Sequence, residues 1–230
     1  MHISINLSKK IITWYDNNKR NLPWRLSFTS KKKLYYRLLS EFMLQQTQVK
    51  TVIPHFIKFT KKLKTLKDLS LSSESRVLKL WEGLGYYRRA KNLLRTAQIL
   101  EKEKKSILPK SLIEIKKLPG IGEYTGNILL ALIYNQPRIG LDGNVKRVFT
   151  RIFNKEEKKL DFKKILEKNK NKIFNSNRNS DFAEAIMEFG ALICRSVEPK
   201  CLVCPIQKNC KFYKFGKKTL LVKKIKFNKK

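Results

Sequence analysis

All four cysteines of this chain fall in one short segment, Cys194, Cys201, Cys204 and Cys210, in the spacing C-x6-C-x2-C-x5-C, and every other position is free of cysteine. Disulfides belong to oxidising compartments, and the opening residues MHISINLSKKIITWYD lack the longer apolar core of a secretion signal. The spacing therefore predicts a metal centre. Four thiolates hold either a tetrahedral zinc ion or a 4Fe-4S cluster, and ligand type alone leaves both open. In either case the loop is stapled where a core would otherwise be needed. Lys200, Lys208 and Lys211 on it would present positive charge at a fixed place, which suits phosphate contact.

Positive charge is general in this sequence. Lys and Arg total 52 against 18 Asp and Glu, a formal net charge of +34 with a pI near 10.2. So large an excess is hard to leave uncompensated, and nucleic acid is the commonest polyanion. The competing reading is a solvated surface filled with Lys and Asn through codon bias. With 42% hydrophobic residues and 10% aromatics the chain can bury the core of one or two domains. No stretch approaches the roughly 20 apolar residues that span a bilayer, so a soluble, cytoplasmic, nucleoid-associated protein with no membrane partner is expected.

Few Gly and Pro, and apolar residues at spacings of three and four, predict an all-α chain of many short helices. Across residues 38–57, Leu39, Phe42, Met43, Val49, Ile53, Phe56 and Ile57 keep the helical period, with Pro54 expected to kink that helix or mark its boundary. Thr65 with Asp68, and Ser111 with Glu114, have capping-box spacing. Pro109 and Pro119 bracket one short helix, and Gly120 and Gly122 open another through Ile128, Leu129 and Leu132, giving a helix, a tight glycine hairpin and a second helix. Residues 169–180, rich in Asn, Lys and Ser, read as a surface connection, and the residues after Cys210 are too few for another domain.

Three features carry chemistry. In Leu118-Pro-Gly-Ile-Gly-Glu-Tyr-Thr-Gly126 the glycines let backbone N–H groups approach a phosphate at a helix N-terminus, although an ordinary helical corner has the same pattern. Glu41 lies among apolar residues on nearly every side of its helix, where burial raises a carboxyl pKa into the range of a general acid; the plain alternative is a Glu that reaches solvent or pairs with Arg37. Asp142 precedes Gly-Asn-Val-Lys-Arg-Val148 as a natural N-cap, and an ionised carboxylate is also what a developing sugar cation needs nearby.

These residues resemble the helix-hairpin-helix DNA glycosylases, and within them the MutY-type adenine DNA glycosylases related to endonuclease III. The matching stretches are LPWR at 22–25, LSEFMLQQTQV at 39–49, LWEGLGYYRRAKNL at 80–93, LPGIGEYT at 118–125, LDGNVKRV at 141–148 and FAEAIMEFGALIC at 182–194, then the cysteine loop to Cys210. The resemblance implies a six-helix barrel domain with the hairpin at 26–137, a 4Fe-4S cluster domain from 1–25 and 138–215, an active site in the cleft between them, and a basic tail at 216–230. It favours the cluster over zinc. It implies Glu41 as the acid that protonates adenine N7, Asp142 as the stabiliser of the oxocarbenium-like sugar, and Asn144 as the group that orients it. Gln46 and Tyr86 match intercalating positions, and Trp24, Arg25 and Glu184 match positions that contact the flipped adenine. For each of these five, packing or plain surface is the bland alternative, and Trp24 is the one closest to core.

Tyr124 stands where relatives of the endonuclease III type carry a lysine that attacks the sugar as a Schiff-base nucleophile. The expected enzyme is therefore monofunctional, with Lys146 giving at most slight trapping and Tyr124 packing or hydrogen-bonding near Asp142. Its expected partner is double-stranded DNA with A:8-oxoguanine or A:G mispairs, bound by a monomer. The segment from Leu26 to Lys33 is longer than usual for the family. No segment here matches the Nudix-like C-terminal domain that reads 8-oxoguanine in MutY-type enzymes, so a reduced preference over A:G is expected. The rival readings are a thymine or uracil mismatch glycosylase of the same superfamily and a non-catalytic DNA-binding iron-sulfur protein.

Overall fold

The first element of the computed structural model is a helix, α1 (Leu7–Asn18), and every later one is helical too. The structure describes residues 7–26, 29–103, 105–174 and 177–216, among which there is no strand. These residues divide into two compact units, one of residues 20–136 and one joining the chain before residue 20 to the chain after 136. The basic tail expected at 216–230 lies, from 217 onward, outside the described residues, as do two residues of the 26–33 segment.

In the 20–136 unit the chain runs through α2 (Ser30–Leu44), α3 (Val49–Lys62), α4 (Leu66–Ser70), α5 (Glu74–Trp81), α6 (Arg88–Glu103), α7 (Leu112–Ile115) and α8 (Glu123–Tyr134). α2 is central, packing against α3, α6 and α8, while α6 also covers α4 and α5. Phe42, Phe56, Phe59 and Trp81 have essentially no exposure, and burying each such side chain stabilises by roughly 1.5–3 kcal/mol. Trp24 joins this core, 3% exposed and edge-on to Phe56 with ring centres 5.2 Å apart.

The period across residues 38–57 does not make one helix. The chain breaks at Gln45–Gln48, where Gln46 turns to φ 57°, and Pro54 lies inside α3 rather than at its boundary. A proline fixes a φ that suits a helix and removes one N–H bond, which this amphipathic helix absorbs. The capping box at Thr65 and Asp68 forms with both bonds present. At Ser111 the side chain accepts from Ile113 N and caps α7, and Glu114 pairs with Lys117 at 2.7 Å.

The other unit comprises α1, α9 (Gly143–Phe153), α10 (Phe162–Lys168), α11 (Lys170–Ile173) and α12 (Asn179–Leu192). α12 packs between α1 and α9, with Trp14 edge-on to Phe189 at 5.4 Å. The stretch read as a surface connection holds α11, which packs against α1, with Ser8 Oγ donating to Lys172 O at 3.4 Å and Ile173 buried; Asn169 just before it is also buried, donating to Ile165 O at 2.8 Å. Among the described residues no helix is long and apolar enough to cross a membrane.

Candidate functional site

The first carboxylate sits near the end of α2. Glu41 is 8% exposed, beside Leu38, Leu39, Phe42 and Met43, all with no exposure. Beyond the helix, Gln45 Nε2 donates to Gly120 O at 3.3 Å and to Thr125 Oγ1 at 3.4 Å, so the end of the Glu41 helix is tied to the glycine hairpin. Gly120 has φ +78°, and a Cβ there would come within 2.8 Å of Phe42 and 2.9 Å of Asn92; backbone and packing both demand glycine. Gly122 differs. It caps α8 in extended backbone, is exposed, and a Cβ on it would meet nothing within 4 Å. Tyr124 follows in the first turn of α8, half-buried.

Gln46 and Tyr86 are both exposed and both in left-handed backbone, at φ 57° and 47°. Arg25, half-buried, donates to Arg20 O at 3.4 Å.

The second carboxylate begins α9. Asp142 Oδ1 accepts from Val145 N at 2.7 Å and Oδ2 accepts from Asn144 Nδ2 at 3.0 Å, so both oxygens are held. Asn144 is itself held: its Oδ1 accepts from Arg147 Nη2 at 2.7 Å, and Arg147 also donates to Gly190 O at 2.8 Å and Cys194 O at 2.9 Å. α9 and α12 meet closely here, since a Cβ on Gly190 would lie 2.7 Å from Asn144 Cβ. Glu184, on α12 and 6% exposed, accepts from Tyr15 OH at 3.0 Å. Lys146 is paired with Glu157 at 2.9 Å.

The cysteine segment follows α12 as two short 3-10 turns, Cys201–Val203 and Gln207–Asn209, and a π-helical turn, Phe212–Gly216. No cysteine is in a disulfide. All four line one cavity, whose other walls include Val148, Ile152, Phe189 and Ile206. Burial first, then the charges of the other three thiols, push Cys204 up to about 12 against a backbone hydrogen bond from Ile206. Burial likewise raises Cys210. Arg151 closes one side, donating to Cys194 Sγ at 3.4 Å and to Ser196 O at 3.0 Å. Among the described residues no three His, Cys, Asp or Glu side chains are grouped tightly enough to hold a single metal ion. Four thiols around an apolar cavity fit a polynuclear group, which spaces its ligands further apart than one ion does.

The structure thus places Glu41, Gln46, Tyr86, Gly120, Gly122 and Tyr124 on the 20–136 unit, and Asp142, Asn144, Lys146, Glu184 and the cysteines on the other. Sequence reasoning missed three arginines that organise these groups: Arg89, Arg147 and Arg151. The available signal was their identity, because a chain that fills its surface with Lys uses Arg where a planar fork of donors is needed.

The profile described as HhH-GPD superfamily base excision DNA repair protein matches residues 39–173. An adenine DNA glycosylase of Buchnera aphidicola subsp. Baizongia pistaciae is 42% identical over 204 residues, 88% of this chain and 57% of the relative. The adenine DNA glycosylase of Homo sapiens is 34% identical over 87% of this chain and 38% of its own length. This chain therefore spans 57% and 38% of the lengths of these two curated relatives. Among solved structures, a thermostable thymine-DNA glycosylase superposes with TM-score 0.77 at 27% identity, covering 90% of this chain and 94% of its own. A trapped endonuclease III–DNA covalent intermediate gives TM-score 0.70 at 18% identity, covering 92% and 98%, and bears on the fold alone.

Proposed function

The chain belongs to the HhH-GPD superfamily of base excision DNA repair proteins, and on that premise we propose that it hydrolyses the N-glycosidic bond of adenine mispaired with guanine or 8-oxoguanine in duplex DNA. The proposed domains are a barrel at 26–137 and a cluster domain from 1–25 and 138–215, a reading supported by the division of the described residues near 20 and 136. Adenine inside a duplex is stacked and unreachable, so it must be flipped out, with Gln46 and Tyr86 filling the gap. The exposed Gly122 supports close approach of a phosphate to the first turn of α8.

Glu41 donates a proton to adenine N7, which turns a poor leaving group into a neutral base; its buried position supports that role. Positive charge then develops on the sugar, and Asp142 stabilises it as a carboxylate. The observation that carries this reading is the fixing of both Asp142 oxygens by Val145 N and Asn144 Nδ2. A carboxylate so held needs no reorganisation when the charge appears. Water completes hydrolysis, and with Tyr124 in place of a lysine no Schiff base forms at that position. Trp24, Arg25 and Glu184 are the proposed contacts of the flipped adenine, Trp24 from a buried position, and Lys146 is a proposed DNA contact. Cys194, Cys201, Cys204 and Cys210 would hold a 4Fe-4S cluster, which when bound supplies a cross-link that fixes the basic loop.

The resemblance to a thymine-DNA glycosylase structure supports a second reading, release of thymine or uracil from mismatches. Glu41 weighs against it, since a purine N7 is what calls for a buried acid. The test is chromatography of free bases released from an A:G and a T:G duplex. The intact chain releases adenine, while Glu41→Gln and Asp142→Asn release it about 10²–10⁴-fold more slowly; thymine from T:G with no adenine from A:G contradicts the reading.

A further inference from the structure

Arg89, in the first turn of α6, is 7% exposed and is bonded to two separate segments. Its Nη1 donates to the carbonyls of Phe42 at 3.2 Å, Met43 at 2.8 Å and Gln45. Its Nη2 donates to Leu84 O at 3.0 Å and Gly85 O at 3.2 Å. The guanidinium carbon lies 5.4 Å from the centre of the Trp81 ring and 5.6 Å from that of Tyr86. The first three acceptors are the last carbonyls of α2 and its cap, where a helix leaves acceptors unsatisfied and favours a cation. The other two belong to the turn before α6.

Each segment ends at one exposed residue in left-handed backbone: Gln46 directly follows Gln45, and Tyr86 directly follows Gly85. Such a conformation is unfavourable for a Gln or a Tyr and persists where the surroundings over-determine it. Arg89 bonds the carbonyl immediately before each of them. A plain helix cap would engage α2 alone. A lysine could not replace it, because three donors on one point do not make a planar fork that spans two segments.

We propose that Arg89 is a positioning residue for base flipping, holding Gln46 and Tyr86 at one fixed separation so that both side chains enter the base stack together as the adenine leaves. The proposal rests on the reading of this chain as a base-flipping glycosylase. It makes the two wedges a single device, built on one guanidinium and useful only while both segments stay bonded to it.

The test is a mutant cycle on a duplex with an A:G mispair and 2-aminopurine beside the adenine, whose fluorescence rises as the stack opens. Arg89→Lys is expected to slow both the fluorescence rise and single-turnover adenine release by about 10- to 100-fold, the scale set by misplacing a reacting geometry by about 1 Å. Duplex affinity stays unchanged. In a Gln46→Ala, Tyr86→Ala background Arg89→Lys adds nothing, because its targets are gone. Gly85→Ala supplies a milder second variant: the methyl meets no atom within 4 Å but opposes φ +68°, so it loosens the turn without removing Arg89. Its smaller loss also vanishes in the doubly truncated background. Unchanged flipping in Arg89→Lys, or an equal loss with and without the wedge side chains, overturns the proposal while leaving the glycosylase reading intact. If Arg89→Lys fails to fold, Gly85→Ala decides by the same two criteria. A wild-type chain that releases no adenine overturns both.

Discussion

Replacing Gly190 by Ala adds one methyl group where α9 and α12 approach each other. The new Cβ would stand 2.7 Å from Asn144 Cβ and 3.0 Å from Asn144 O, against 3.4 Å for ordinary contact, and the nearer atoms belong to the other helix rather than to a flexible side-chain end. The helices must therefore separate locally by about 0.7 Å, an overpacking that costs roughly 1–3 kcal/mol. For a chain of this size that lowers Tm by about 2–4 °C for each kcal/mol. The shift moves Asn144, which bonds Asp142, and stretches the Arg147 bond to Gly190 O. Adenine release should therefore fall by on the order of 100-fold, well beyond what lost stability accounts for at assay temperature. Gly126→Ala is the milder comparison, since its closest contact, at 2.9 Å, is the far end of the half-buried Leu112 side chain, which can turn aside, while Ile115 Cγ2 at 3.1 Å has to give by only a few tenths of an ångström. Thermal melting with single-turnover release decides the matter. A Gly190→Ala protein that melts and reacts like wild type refutes the argument that this crossing positions the carboxylate.

Two further outcomes follow from the other parts of the structure. Cys204→Ser is expected to abolish bound iron and the visible absorption of the purified protein; full iron content in the variant, or zinc in the wild type, contradicts the cluster assignment. Asp16 is held below the usual carboxylate range, chiefly by its hydrogen bonds from Arg178, although partial burial pulls the other way. Its stabilising effect is therefore present above the usual range and is lost as pH falls through the lowered value. Asp16→Asn should cost up to about 1 kcal/mol at neutral pH, the scale of a partly exposed pair, with the gap in melting temperature closing in acid; a gap that widens in acid contradicts the sign.

Much of the candidate site was legible because its signals are local. The burial of Glu41 follows from the apolar residues around it in α2, and the capping role of Asp142 from the residues after it. The demand for glycine at position 120 likewise shows in a turn between two helices. Non-local partners were not legible. The apolar positions on either side of Gln45–Gln48 keep one helical period, yet the chain breaks there, where Arg89 takes the helix-end carbonyls from more than forty residues away. The tie from Asp142 through Asn144 and Arg147 to Gly190 and Cys194 likewise joins segments far apart in sequence. Residues 169–180 looked polar enough to be surface, but Asn169 and Ile173 are buried and α11 packs against α1.

Release of adenine by hydrolysis is the proposed reaction. Duplexes carrying A:8-oxoguanine, A:G, T:G or U:G, treated with the iron-loaded chain and analysed with and without alkali, test it most directly. Adenine loss from the first two, with strand breaks appearing only after alkali, is the expected result. Breaks without alkali, or loss of thymine or uracil in place of adenine, would contradict it.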